Sequence, residues 1–199
     1  MTEIKVFNRW ETTGVVVSDF GMQSYINLNP RFVPKTGGRN AAQKFHKSKT
    51  FLIERFMNKI MVSGHKAKKH KISSGHNGGK AQMITKIMIK VLEMLEAKTK
   101  KNPIQVLVTA LENACPREEI IAIEYGGARY PKAVECSPQR RIDLAMRFMT
   151  QGAAQKAFNS KKSIEETLSD EIYNAFILSP NSAAISKKNE LERQADSSR

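Results

Sequence analysis

The sequence predicts a mainly α fold: a single helical domain of about six helices, with one protruding β-hairpin and an extended basic N-terminal arm. A length of 199 residues with 40% hydrophobic content is enough to bury a core. Apolar residues recur at helical spacing in several segments after residue 50, whereas the first 48 residues show little helical period. The predicted division is therefore an N-terminal extension over residues 1–49 and a helical domain over residues 50–199.

The first two helices are predicted from their apolar stripes. The first spans residues 51–62, and its stripe implies that Glu54, Arg55 and Lys59 face away from the core. The second begins near Lys80, after a glycine-rich basic loop. Its buried face is formed by Met83, Ile84, Ile87, Met88, Val91, Leu92 and Leu95.

The other four helices carry recognisable start signals. An Asn-Pro pair at residues 102–103 and a Ser-Pro pair at residues 137–138 each combine a capping side chain with a proline suited to the first helical position. Ser163 and Glu166 have the spacing of a capping box. The last helix covers residues 183–195, so six helices are predicted in total.

One segment alternates with a period near two and predicts a β-hairpin over residues 118–136. Its halves, EEIIAIEY and ARYPKAVEC, are joined by Gly126 and Gly127, which readily adopt the positive dihedrals of a tight turn. Pro131 is compatible with this prediction because both strands of a two-stranded ribbon are edges. We expect the ribbon to project from the helices.

The charge of the chain is concentrated in residues 35–80, which hold twelve Lys or Arg and one acid, Glu54. This window carries 11 of the 14 net positive charges, and nucleic-acid phosphate is the commonest partner for such a density. A solvated basic loop is the alternative. The predicted RNA contacts in the window are Lys35, Arg39, Lys44, Lys47, Lys49, Arg55, Lys59, Lys66, Lys68, Lys69, Lys71 and Lys80.

Basic residues outside the window extend the predicted surface. Arg140 and Arg141 fall in the first turn of the fourth helix, where free amides and the helix dipole also favour an anion. Ordinary surface arginines are the alternative. Further predicted contacts are Arg129 and Lys132 near the hairpin tip, and Lys161, Lys162, Lys187 and Lys188.

The sequence offers no credible catalytic centre, cofactor site or metal site. The glycines before Lys80 lack the spacing and the Ser or Thr of a phosphate-binding loop. His65, His70 and His76 have no cysteine or acid at ligand spacing, so a solvated or phosphate-facing role is expected for them. Cys115 and Cys136 are expected to be reduced and buried. No apolar run is long enough for a membrane span, so a cytoplasmic protein is expected.

Several segments resemble the universal small-subunit ribosomal protein S-seven family. The strongest are NPIQVLVTALENACPREE at residues 102–119, the hairpin with its glycine turn, and AVECSPQRRIDLAMRFM at residues 133–149. TGGRNAAQKFHKSK, SGHNGGKAQM and SAAISKKNELERQADS resemble the archaeal and eukaryotic branch, which carries an N-terminal extension. One departure is the loop over residues 64–79, which is longer than the bacterial connection.

The resemblance implies a structural, non-catalytic role in the ribosome. Family members are primary binders of the 3′ major domain of small-subunit ribosomal RNA and nucleate assembly of the subunit head among neighbouring ribosomal proteins. Their hairpin reaches toward the exit-side transfer RNA and messenger RNA path, which corresponds here to residues 124–132. By position, residues 35–49 together with Arg55, Lys59, Arg140 and Arg141 would face ribosomal RNA.

Two other function classes remain open from the sequence. A free-standing RNA chaperone or translational repressor would show the same basic window. A nucleic-acid-processing enzyme would need metal-binding acids or a nucleophile near that window, where Glu54 is the only acid. Co-sedimentation with small subunits after a high-salt wash distinguishes a ribosomal protein from both.

Overall fold

The computed structural model describes residues 4–38, 42–63, 65–66, 69–70 and 79–199, with the backbone alone at 65–66 and 69–70. These ranges contain seven α-helices and two antiparallel strand pairs, and a 3₁₀ turn at His46–Lys49. The helices are α1 Phe20–Gln23, α2 Leu52–Ile60, α3 Ala81–Thr99, α4 Pro103–Ala114, α5 Pro138–Ala157, α6 Ile164–Phe176 and α7 Ala183–Asp196. The strands are β1 His65–Lys66, β2 Lys69–His70, β3 Glu118–Tyr125 and β4 Ala128–Glu135. The predicted mainly helical fold with a β-hairpin is confirmed, and α1 is an addition to the six predicted helices.

Two of the three predicted capping side chains act as expected, whereas Ser137 makes no side-chain capping hydrogen bond at the start of α5. The Asn102 side chain accepts a hydrogen bond from the backbone N–H of Ile104 at 3.0 Å, with Pro103 at the first position of α4. The Ser163 hydroxyl accepts one from the N–H of Glu166 at 3.2 Å at the start of α6. Each bond satisfies an amide that the helix itself leaves without an acceptor.

A single hydrophobic core joins the helices, with α6 packed against α3, α4 and α5. Leu92, Leu107 and Ile172 are fully buried at its centre. The predicted buried face of α3 is correct except at Met83, which is 55% exposed. Within the described residues, no helix is long and apolar enough to cross a membrane.

The first part of the N-terminal arm is bound to α4 through side chains of the helix. Gln105 pairs with the backbone of Val16 in both directions, accepting from its N–H at 2.8 Å and donating to its carbonyl at 3.0 Å. Glu112 accepts from the N–H groups of Ser18 and Asp19 at 2.6 and 3.0 Å. The arm therefore obtains its backbone partners from helical side chains rather than from a sheet.

Apolar residues of the arm also enter the core. Val6, Trp10, Met22 and Ile26 are each less than a tenth exposed and belong to the same cluster as the helices. The Trp10 indole N–H donates to the Glu96 carboxylate at 2.9 Å, which satisfies its one polar group. A domain boundary at residues 49–50 stays a prediction.

One expectation about α2 is wrong, because Glu54 and Arg55 do not face away from the core. Both side chains are nearly fully buried, at 2% and 4% exposure. Glu54 accepts from the N–H and the hydroxyl of Thr36 at 2.7 and 2.6 Å, and Arg55 donates to the carbonyl of Tyr25 at 2.8 Å. Partners supplied by the arm, which helical spacing cannot reveal, make their burial possible.

The hairpin has the predicted strands and turn. Gly126 and Gly127 have φ of +56° and +83°, and Tyr125 pairs with Ala128 directly across the turn. From residue 121 to the tip and back to residue 132 every residue is exposed, so the ribbon projects as predicted.

Candidate nucleic-acid interface

Cationic side chains of the arm, α2 and α5 converge around one carboxylate, that of Asp143. Lys47 forms an ion pair with Asp143, and Arg55 Nη2 lies 3.6 Å from its Oδ1. Lys59 lies close enough to Asp143 and Arg147 for their charges to shift its pKa. We call Lys47, Lys59 and Arg147 with Asp143 the α2–α5 basic face. The three cations of this face share the single negative charge of Asp143, which the buried Arg55 also contacts. Because positive charge exceeds negative charge, the face can accept an anion.

The pKa of Lys59 is lowered from its ordinary value by burial and by the neighbouring cations of this face. Burial lowers it most; Asp143 raises it, and the neighbouring cations Arg147, Lys47 and Arg55 lower it further. Burial likewise lowers the pKa of Arg55, and Asp143 opposes that shift. An added anion such as phosphate would stabilise all of these cations.

Arg140 lies in the first turn of α5 beside this face and is exposed. Its guanidinium makes a two-point pair with Glu119 of β3, with Nη2 at 2.6 Å from Oε2, and hydrogen bonding to Glu119 raises its pKa. A groove of about 290 Å³ runs between it and the basic face, lined by Lys47, Arg140, Asp143 and Arg147 among others. Its described lining contains one acid and three cations.

Arg141 differs from Arg140, although both are in the same turn. Its side chain is 15% exposed, and Nη2 contacts Asp19 Oδ2 at 3.1 Å. Arg140 is thus exposed but paired with Glu119, whereas Arg141 is largely covered, and the RNA contacts proposed for both stay predictions. Arg141 therefore attaches the short helix α1 to α5. Its partner Asp19 is 122 residues away in the sequence, so helical spacing alone does not reveal this role.

A second basic site lies within the arm. Arg31, Lys35, His46 and Lys49 line a cavity of about 600 Å³, together with Thr36, Gly37 and Thr50. We call these four basic side chains the arm pocket. No carboxylate is part of its described lining, so the pocket has the charge of a phosphate site.

The remaining predicted contacts lie apart from these two sites. Arg129 and Lys132 are exposed on the hairpin, where Arg129 lies 3.5 Å from Glu124. Lys44 is exposed in the arm, and Lys80 is half-buried just before α3. The others are Lys161 and Lys162, exposed after α5, and Lys187 and Lys188 on α7, where Lys188 donates to the carbonyl of Asn113 at 2.8 Å.

Part of the predicted basic window lies outside the described residues. Arg39, Lys68 and Lys71 are not described, and only the backbone is described at Lys66 and Lys69. Their proposed contacts with RNA stay predictions.

Sequence reasoning missed three residues of these sites: Arg31, His46 and Arg147. Arg147 had a detectable signal, because residues 140, 143 and 147 recur on one face of a helix. Arg31 lies just outside the charge window, and His46 lies inside it but was not among the predicted RNA contacts. Their convergence depends on how the arm folds back on α2.

Other chemistry has little support among the described residues. No group of three His, Cys, Asp or Glu side chains there could hold a metal ion. Cys115 and Cys136 are buried and free, and burial raises the pKa of their thiols to about 12 and about 11. Neither thiol is ionised near neutral pH.

Comparison with known proteins agrees with this picture of a basic helical protein. The model of the family described as ribosomal protein S7p/S5e matches residues 22–199. The chain belongs to this family. The resemblance found in the sequence is thereby confirmed, and the matched range includes the segment at residues 133–149.

Individual relatives extend the match to almost the whole chain. Each bears the name small ribosomal subunit protein uS7. The protein of Nanoarchaeum equitans is 50% identical over 99% of this chain and 100% of its own length. Those of Archaeoglobus fulgidus and Methanosphaera stadtmanae are 44% and 45% identical, covering 99% and 97% of this chain and 96% and 97% of their own lengths.

Proposed function

We propose that this protein is a structural constituent of the small ribosomal subunit and acts there as a primary RNA-binding protein. It binds the 3′ major domain of the small-subunit RNA, nucleates assembly of the subunit head and works in the cytoplasmic ribosome without catalysing a reaction. Family membership supports the ribosomal role. The α2–α5 basic face is the observation that supports direct RNA contact.

The argument from this face is electrostatic. Lys47, Lys59 and Arg147 share Asp143 with a buried arginine, so bound phosphates would relieve repulsion among the cations. The groove beside Arg140 continues the same positive surface to the start of α5. Binding through such a surface releases counterions from the RNA and is therefore strongly salt-dependent.

A charge-removal series tests this function. We expect the triple variant Lys47→Gln, Lys59→Gln and Arg147→Gln to bind a 3′ major-domain RNA fragment at least about tenfold more weakly, a loss of ~1.4 kcal/mol. Its slope of log affinity against log salt should be smaller by about 2 to 3, since each phosphate contact contributes roughly 0.7 to 0.9. Fluorescence anisotropy at several salt concentrations measures both quantities.

The matched control removes three exposed cations elsewhere, Lys86, Lys100 and Arg193, with the same change in net charge. Equal losses in the two triple variants would show that net charge alone drives binding. Co-sedimentation with small subunits after a high-salt wash then separates a ribosomal constituent from a free-standing repressor, which would be washed away.

We further propose that the projecting hairpin contacts the exit-side transfer RNA and messenger RNA path, while neighbouring ribosomal proteins contact other surfaces. The hairpin tip is exposed and thin, with Arg129 and Lys132 as its cations and Tyr125 and Tyr130 81% and 58% exposed. Exposed tyrosines can stack on unpaired bases.

Shortening the ribbon across residues 124–132 with an Asn-Gly turn should leave the junction affinity within a few-fold and assembly nearly normal. Retention of exit-side transfer RNA by the assembled subunits should fall. A loss of junction affinity above about tenfold, ~1.4 kcal/mol, would place the ribbon in the primary binding surface instead.

A further inference from the structure

Two neighbouring cavities in the arm share one wall but differ in chemistry. This wall consists of Lys35, Thr36 and Gly37, which line both the arm pocket and a second cavity. The second cavity has a volume of about 680 Å³ and lies between the arm and the helices α2 and α3. We call this second cavity the arm cleft; the lining residues that matter here are Phe32, Val33, Glu54, Met57, Asn58 and Gln82.

The arm cleft is apolar with polar groups at its edge. Phe32 and Val33 are neighbours in the sequence, are 73% and 69% exposed, and together give the cleft an accessible apolar surface. Asn58 and Gln82 are exposed amides in the same lining. A flat aromatic ligand with hydrogen-bonding edges fits such a surface.

Glu54 gives the cleft a specific acceptor. Its Oε1 is occupied, because it accepts from the N–H and hydroxyl of Thr36. Its Oε2 is buried and has no hydrogen-bond partner among the described residues. A buried carboxylate oxygen without a donor is costly, and an N–H group of a ligand would satisfy it.

The shared wall keeps the two chemistries close together. Thr36 is held by Glu54, and Gly37 turns the chain with φ of +63°, a conformation that glycine adopts without strain. One ligand can therefore extend from the basic side chains of the pocket to the apolar surface of the cleft. A nucleotide combines an anionic phosphate and a flat base with N–H donors in this way.

We propose that the arm pocket and the arm cleft together bind one unpaired nucleotide of RNA, with its phosphate in the pocket and its base in the cleft. The site rests on the RNA-binding function proposed above. Arg31, Lys35, His46 and Lys49 contact the phosphate, Phe32 stacks on the base, and Glu54 Oε2 accepts from an N–H group of the base. Unpaired bases are the part of RNA that proteins read most readily, because their faces and edges are free.

The test uses the full chain and two short RNA hairpins that differ at one position. One carries a single bulged 2-aminopurine, and the other has the same base paired within its stem. We expect the bulged RNA to bind about tenfold more tightly, equivalent to ~1.4 kcal/mol, which lies within the range for one stacked base. We also expect 2-aminopurine fluorescence to change only with the bulged RNA.

Two substitutions address the two halves of the site. Phe32→Ala should abolish both the preference for the bulge and the fluorescence change, whereas Phe20→Ala is its control, since Phe20 is 89% exposed in the arm outside the cleft. Arg31→Ala should reduce the salt slope by about 0.7 to 0.9, with the exposed Arg193→Ala as control. Val33→Ala provides a second cleft variant, and thermal melting checks each fold.

The possible results distinguish the nucleotide site in the arm from the RNA-binding function proposed above. Equal binding of the two RNAs, or a Phe32→Ala variant that behaves like Phe20→Ala, overturns the nucleotide site and leaves RNA binding intact. A cleft already filled by this chain would give the same unchanged fluorescence and also overturns it. Failure of both RNAs and of the ribosomal RNA fragment to bind would instead overturn the proposed function.

Discussion

Replacing Asp143 by asparagine should make the protein less stable and, at the same time, a tighter RNA binder. The substitution keeps the size of the side chain but removes the negative charge from the α2–α5 basic face. Arg55, only 4% exposed, then loses its counter-charge, and Lys47 loses its ion-pair partner. Stability and binding are predicted to move in opposite directions because the same carboxylate serves the fold and opposes the phosphate.

The size of the stability loss follows from the geometry. Removing one partner of a buried ion pair costs ~3–5 kcal/mol. Here the Arg55–Asp143 separation is 3.6 Å and Asp143 is 17% exposed, so solvent and imperfect contact reduce the figure. We expect a loss of about 1–3 kcal/mol, which lowers the melting temperature by roughly 2–12 °C in a chain of this length.

The expected gain in RNA affinity is about threefold to tenfold at low salt, because one repulsive charge is removed and Lys47 becomes free to pair with phosphate. The salt slope should increase by up to about 0.9. Thermal melting and fluorescence anisotropy between about 50 and 200 mM salt measure the two effects.

The matched control is Glu11→Gln, which makes the same change in net charge at an exposed pair with Lys5. Its effect on stability should stay below ~1 kcal/mol. A folded Asp143→Asn variant that is as stable as the parent, or that binds RNA more weakly than the control, would refute the reasoning.

Three further predictions concern the interior. Glu171→Ala should cost about 2–4 kcal/mol in urea unfolding, because the Ser182 hydroxyl and the Ala184 N–H at the start of α7 would lose their buried acceptor, the Glu171 carboxylate, which they reach at 2.7 and 3.0 Å; an unchanged midpoint would contradict this. Gly152→Ala should destabilise by ~1–3 kcal/mol despite a better helix propensity, since its new Cβ would lie 2.6 Å from the Cβ of Ala183. Burial raises the pKa of Cys115 from 9.0 to about 12, so the folded state keeps the thiol proton at a pH where the unfolded state releases it. The free energy of unfolding should therefore fall between pH 9 and 12 by up to ~1.4 kcal/mol per pH unit. The fall should be less steep in Cys115→Ala, which has no thiol to titrate.

Local features of the fold could be predicted because their causes lie within a few residues. The Asn102 and Ser163 caps each act on an amide within the next three positions. The hairpin turn depends on Gly126 and Gly127, whose positive φ values require little else from the chain. Caps and turns of this kind depend on local geometry, so they can be predicted without knowing how the element packs.

The errors came from residues whose partners are distant in sequence. Arg55 and Glu54 read as solvent-facing in their helix, but Tyr25 and Thr36 of the arm supply the partners that allow their burial. Arg141 pairs with Asp19, 122 positions earlier. Helical spacing gives the face of a residue, and it cannot tell which segment covers that face.

The same reasoning explains part of the candidate site. Charge density located Lys35, Lys47 and Lys49 correctly as a basic region, but the structure divides this region between two sites. Lys47 of the arm forms an ion pair with Asp143 of α5, whereas Lys35 and Lys49 line the arm pocket. A charge count locates a basic region, and only the folded arm shows how its side chains are divided between sites.

A truncation of the arm would remove two structural features together. Its first part inserts Val6 and Trp10 into the core, each at most 6% exposed, so a deletion would open the core before it tested any contact with RNA. Its second part carries the cations of the arm pocket, whose side chains contribute little apolar burial because Arg31, Lys35 and Lys49 are exposed. Substituting these cations changes the charge and leaves the packing in place. Charge substitution in the arm is consequently a test of binding, whereas deletion of the arm is a test of the fold.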